Sequence, residues 1–118
     1  MVVLTARIEA HASERRELVQ ALLEWATAAS HETGALGAHV YEDLEAAARF
    51  CAVSQWAGAE DMEHHVRGGA FGVLMGALDA LGPAADFSIA KQEGGDAGDA
   101  IRHMRRSRGT HPPPELGG

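Results

Sequence analysis

An imidazole, an indole and a phenol are the groups in this chain with the most chemistry to offer. Trp56 closes the apolar run FCAVSQW at residues 50–56, and His65 follows nine positions later on a helical segment. An imidazole has an ordinary pKa near 6.5 and can take a proton from a phenol or an anthrone. An indole can stack on a flat ring system. Tyr41 is a second proton-handling group, and His39 lies two residues before it on the same strand face, so that both reach a pocket or both face the seam of a dimer. Phe71, Leu74 and Met75 recur at helical spacing and can line an apolar cavity while packing a core. Each residue also has a plainer role. Trp56 can be a core anchor, and His65 can be a buried group whose hydrogen bonds are satisfied internally.

Metal chemistry finds little support. His64 and His65 are adjacent, so they point about 100° apart around a helix. With His39 they make no recognisable ligand spacing, and no metal is expected. The single cysteine, Cys51, excludes a disulfide framework within the chain and reads as an inert buried thiol. There is no nucleophile elbow, phosphate loop or dinucleotide fingerprint.

The elements that must position these groups follow from periodicity. Residues 2–10 alternate, with Val2, Leu4, Ala6 and Ile8 on one face. Ser13 is placed to cap a helix running to about Thr33, with Leu18, Val19, Leu22, Leu23, Ala26 and Ala29 as its buried stripe and Trp25 at the margin. Gly34 is the stop. Residues 38–43 form a second strand and 50–56 a third, apolar enough to lie inside a sheet. A helix after Gly58 turns Met62, His65 and Val66 inward. A further helix begins after Gly68-Gly69 and ends at Gly82-Pro83, and residues 86–91 form the last strand. The order β-α-β-β-α-α-β predicts an α+β fold of the ferredoxin-like, split βαβ kind. Its four-stranded antiparallel sheet carries helices on one face.

Length and charge bound the rest. The chain has 118 residues, enough for one domain, and a net charge of −7. Residues 1–91 hold thirteen acidic against six basic residues, an acidic body that argues against a nucleic-acid partner. No apolar run approaches the roughly 20 residues that span a bilayer. With no basic, apolar leader at the N-terminus, the expected location is cytoplasmic. From residue 92 the composition turns Gly-, Asp- and Pro-rich around IRHMRRSR, which reads as a flexible tail over 92–118 beside a folded domain over 1–91. The cluster Arg102, Arg105, Arg106 and Arg108 offsets the acidic body and is suited to an anion or an acidic partner.

The run FCAVSQW, the helix after it and HVRGGAF together resemble the antibiotic biosynthesis monooxygenase (ABM) domain family. Gln55-Trp56 stands where the family has Glu-Trp, His65-Val66 where it has His-Leu, and Phe71 at its Phe. Gly34 and VYED at 40–43 match the helix stop and second strand. The likeness covers about residues 2–91. Two positions depart from the pattern: Ala38 replaces an aromatic residue, and Gln55 replaces an acid. The related haem-degrading branch uses an Asn, a Trp and a His, which fall here on Ala6, Trp56 and Met75. Only the Trp is kept, so the resemblance does not extend to haem degradation.

The resemblance implies a homodimer whose sheets pair into a shared α+β barrel, with a pocket between sheet and helices in each chain. It implies a monooxygenase that needs no cofactor and oxidises a polycyclic phenol, anthrone or quinol with O2. Trp56 and Phe71 would hold the ring, and His65 or Tyr41 would handle the proton. Leu74, Met75 and His39 would complete the substrate pocket. Two alternatives share the fold: a dimeric module that binds a small ligand without turnover, and an isomerase of a small oxygenated metabolite.

Overall fold

The alternating apolar residues at the N-terminus do form the strand that organises the sheet. The structure, a computed structural model, describes residues 1–92 and 97–107. Strand β1 (Val2–Glu9) pairs with β3 (Arg49–Trp56) on one side and β4 (Ala84–Lys91) on the other, and β2 (Ala35–Glu42) pairs with β3. The order is β2-β3-β1-β4, all antiparallel. Helices α1 (Arg15–Ala29), α2 (Ala59–Arg67) and α3 (Gly69–Leu81) complete the expected ferredoxin-like α+β arrangement. A further helix, α4 (Gly98–Ser107), follows the sheet. Among the described residues no helix is long and apolar enough to cross a membrane.

The core forms where the helices meet one face of the sheet. Val2, Leu4, Ala6 and Ile8 of β1 and Phe50, Ala52 and Trp56 of β3 are buried there with Leu18, Leu22, Trp25 and Ala29 of α1. The opposite sheet face carries Thr5, Arg7, Tyr41, Cys51 and Val53, all incompletely buried in the single chain. Cys51 is therefore half-exposed on the open face with Arg7 as its cross-strand partner, rather than buried away from basic groups. Arg7 does not pair with Glu9, whose carboxylate instead takes the Arg49 guanidinium at 2.8 Å.

Several local expectations are corrected. A short 3₁₀ turn (Ala12–Glu14) precedes α1, and no side chain caps it or α1, so Ser13 is not a cap. The helix stops at Ala29, with turns filling the interval to Gly34. Leu23 and Val66 are exposed at 55 % and 39 % because each lies one residue, hence about 100°, beyond a buried neighbour. Within the stretch read as a tail, residues 98–107 form α4, while residues 93–96 and 108–118 lie outside the described part.

Two features fix the segments on either side of α1. Gly34 has φ +79°, and a Cβ there would collide with the Asp61 side chain at the start of α2. Gly34→Ala should therefore cost at least the roughly 1–2 kcal/mol of a left-handed non-glycine residue, read as a fall in melting temperature. At the other end Arg15 grips Glu42 through two hydrogen bonds of 2.7 Å, and the Ala48 amide donates to the same carboxylate at 3.2 Å. The Arg15 hydrogen bond is the main reason the Glu42 pKa falls from 4.5 to about 2. A depressed carboxylate stabilises the fold above its unfolded pKa and loses that contribution as pH falls through the folded value. Stability should thus decline between about pH 4.5 and 2 in the parent, and less steeply in Glu42→Gln; acid titrations followed by circular dichroism at low salt test this.

Candidate functional site

Strand β3 runs from the open hairpin into the core and ends on Trp56, fully buried at the corner where the chain turns into α2. Its apolar alternation leaves one polar side chain on the core face, Ser54, whose Oγ accepts the Trp56 indole N–H at 2.9 Å. Gly58, extended at φ −149°, starts α2, which brings His65 back over Trp56 two turns later. The imidazole and indole stack with centroids 4.5 Å apart and planes 27° apart. Phe71, at the start of α3, presents its edge to the same imidazole at 5.4 Å.

Both nitrogens of His65 are engaged. The Trp25 indole donates its N–H to Nε2 at 3.2 Å, and Nδ1 lies 2.9 Å from a Glu32 carboxylate oxygen. An indole nitrogen can only donate, so Nε2 is the acceptor and the ring proton sits on Nδ1, pointing to Glu32. His65 is held as the neutral Nδ1–H tautomer with no exposed surface, while Glu32 keeps 26 % of its side chain exposed. A carboxylate fixing the tautomer of an imidazole is the arrangement of a general base. Here the basic lone pair is capped by an indole.

The aromatic contacts continue outward. Phe71 touches Phe87 of β4 edge to face at 6.3 Å. Register places Phe87 beside Ala6 and Ile89 beside Leu4, on the face of β4 that looks toward the helices. That face is uncovered: Phe87 is 38 % exposed and Ile89 60 %. Phe71 and Met75 pack partly buried against the core. The result is an exposed apolar face of β4 that meets α3 through the Phe71–Phe87 contact, with Phe71 in turn against His65 and His65 stacked on Trp56.

The structure thus brings together Trp56, His65 and Phe71, with Met75 packed partly buried against the same core. Leu74 is buried and contributes to the floor of a groove between α1 and α3. His39 and Tyr41 are neighbours, with rings 6.3 Å apart, but they lie on the open sheet face, opposite His65. Tyr41 there borders a depression of about 640 Å³ with Arg7, Arg49, Cys51 and Asp86. Two residues of the buried cluster were not singled out by sequence reasoning. Trp25 follows Leu18 by seven residues and Leu22 by three, a spacing that marks the inward stripe. Glu32 sits in the turn after α1, where no periodicity applies. Among the described residues no three His, Cys, Asp or Glu side chains converge as metal ligands.

Comparison with known proteins agrees with this architecture. The family model for antibiotic biosynthesis monooxygenase (ABM) matches residues 1–76. A candidate antibiotic biosynthesis monooxygenase from Deinococcus radiodurans superposes with a TM-score of 0.72 at 29 % identity, covering 82 % of this chain and 95 % of that one. A second candidate, from Nitrosomonas europaea, gives 0.72 at 11 % identity over 78 % and 98 % of the two chains. A Bacteroides thetaiotaomicron protein of unknown function, described as a possible oxidoreductase, gives 0.73 at 16 % over 77 % and 96 %. The last two likenesses speak to the fold alone. No match is found among curated proteins. On its sequence match and its fold, the chain belongs to the antibiotic biosynthesis monooxygenase domain family.

Proposed function

We propose that the protein is a cofactor-independent monooxygenase that converts an electron-rich polycyclic phenol, anthrone or quinol to a quinone with O2. The observation that carries this reading is the uncovered apolar face of β4, Phe87 and Ile89, where it meets Phe71 of α3. A flat ring system can stack on the exposed Phe87 and Ile89 beside Phe71 without a covalent partner. For an anthrone, a ring CH2 first loses a proton to water. The carbanion gives electrons to O2 and forms a C–O bond, yielding a hydroperoxide once protonated. Loss of water leaves C=O, so CH2 and O2 become C=O and H2O. The protein's part is to hold the ring in place for that sequence.

In this reading His65 is a positioning residue. Its hydrogen bonds to Trp25 and Glu32 fix the imidazole that backs Phe71 and Trp56. Tyr41 and His39 belong to the seam of a homodimer formed through the open sheet faces, and that pairing would also shelter the exposed edge strand β4. The capped lone pair of His65 favours one rival reading, a dimeric module that binds a small aromatic ligand and does not turn it over.

Oxygen uptake with a panel of anthrones and hydroquinones, corrected for autoxidation, separates the two. Saturable uptake of one O2 per quinone formed is expected, with kcat/KM reduced about tenfold or more in Phe87→Ala if one ring-stacking wall is worth about 1.4 kcal/mol. Saturable ligand binding without uptake supports the binding module. Neither binding nor uptake by a folded protein overturns both.

A further inference from the structure

Helix α4 lies beyond the family match, which ends at residue 76, and its residues 99–106 are all exposed. It is strongly two-faced. Ala100, Ile101 and Met104 form one stripe, with Ile101 52 % and Met104 61 % exposed. Arg102, Arg105 and Arg106 cover the other side, with Arg105 only about 40° from Ile101 around the axis. Ten residues make a marginal helix in water without a surface to pack on. Such a helix calls for a shallow apolar groove with acidic edges.

The described body has a shallow, mostly apolar groove between α1 and α3 with one acidic residue, Glu24, in its lining. It has a volume of about 190 Å³ and is lined by Ala21, Ala28, Ala70 and Val73 over a floor of Trp25 and Leu74. Small residues on both helices let a third helix approach closely. Val73, 70 % exposed, offers an apolar contact, and Glu24 stands at the rim. Glu17 is exposed two helical turns before Glu24 on the same side of α1. The charges are complementary: residues 1–91 carry thirteen acidic against six basic residues, whereas α4 holds three arginines and one aspartate.

We propose that α4 of one copy docks in the α1–α3 groove of a second copy, with Ile101 and Met104 inward and Arg105 facing Glu24. A helix seated in a groove through residues spaced three or four apart is a recurrent recognition mode. The contact uses the outer side of the helices, so it is independent of the sheet face and of the proposed activity. It would link copies through an element outside the family's matched region.

Disulfide trapping between two separately tagged full-length chains tests this. Both carry Cys51→Ala; one has Val73→Cys and the other Ile101→Cys. Both engineered positions are exposed, so folding should be preserved. Mild oxidation should give a 73–101 link between chains. Arg105→Glu should reduce it severalfold, and Glu24→Arg on the partner should restore it, since opposite charges across an interface steer encounter and like charges oppose it. No link between the chains would overturn the proposal, as would a link that ignores both charge changes. So would a chain carrying both cysteines that links only to itself. Co-sedimentation of the unlinked protein with phosphatidylglycerol vesicles, in place of the link, would assign α4 to a lipid surface instead.

Discussion

Replacing His65 with alanine is expected to lower the unfolding free energy by about 2–4 kcal/mol, a large share of a small domain's stability. The ring fills space between Trp56 and Phe71, so its loss leaves a cavity. It also strands the Trp25 N–H in the core, and an orphaned buried donor costs about 1–3 kcal/mol. Urea denaturation measures the loss. His65→Gln is the informative companion, because an amide can accept from Trp25 and donate to Glu32 while lacking the stack. It should recover part of the loss. A change below about 1 kcal/mol in His65→Ala would mean the imidazole does not hold this corner together. Turnover per folded molecule gives the second readout. It should stay near the parent value for any variant that keeps Trp56 and Phe71 in place, and it should collapse if His65 is itself a base.

Trp56→Ala should cost about 3–5 kcal/mol, the range for removing a large buried aromatic side chain. It also leaves Ser54 without its indole donor. Trp56→Phe keeps most of the stack and should cost about 1–2 kcal/mol through the lost hydrogen bond and the smaller ring. Because Trp56 and His65 touch face to face, the double alanine variant should be less unstable than the sum of the two single ones. The coupling should be about 0.5–1.5 kcal/mol, measurable as a double-mutant cycle in urea. Additive losses would show that the stack contributes nothing beyond volume.

Much of this architecture was legible because strands and helices bury with fixed periods. The core face of β1 is the one its alternation predicts, and β3 lies inside the sheet as its apolar run requires. Trp25 was placed at the margin for an identifiable reason. Counting Val19, Leu23 and Ala26 as core rotates the presumed stripe by about 50–60° away from Leu18, Leu22, Trp25 and Ala29, the residues actually buried. Exposed leucines are common enough that such an error is easy to make. The partners of His65 depend on tertiary placement. Glu32 reaches it from a turn, and nothing in a local pattern announces that. The uncovered side of β4 is also a three-dimensional matter, since DFSIAK reads as a strand whether or not helices reach across it. In the terminal stretch, Gly- and Pro-rich flanks concealed the helical spacing of Ile101 and Met104.

The chain has two tryptophans, and both contact the same imidazole. Its intrinsic fluorescence is therefore a report from one point in the molecule. An emission-detected unfolding curve follows the dissolution of the Trp25–His65–Trp56 cluster and is blind to β4 and α4, which hold no indole. If the edge strand loosens before the core, fluorescence and far-UV circular dichroism will give different midpoints. A tryptophan placed at Phe87 would turn this face of β4 into a second, separately readable signal, and a flat aromatic ligand stacking there would quench it.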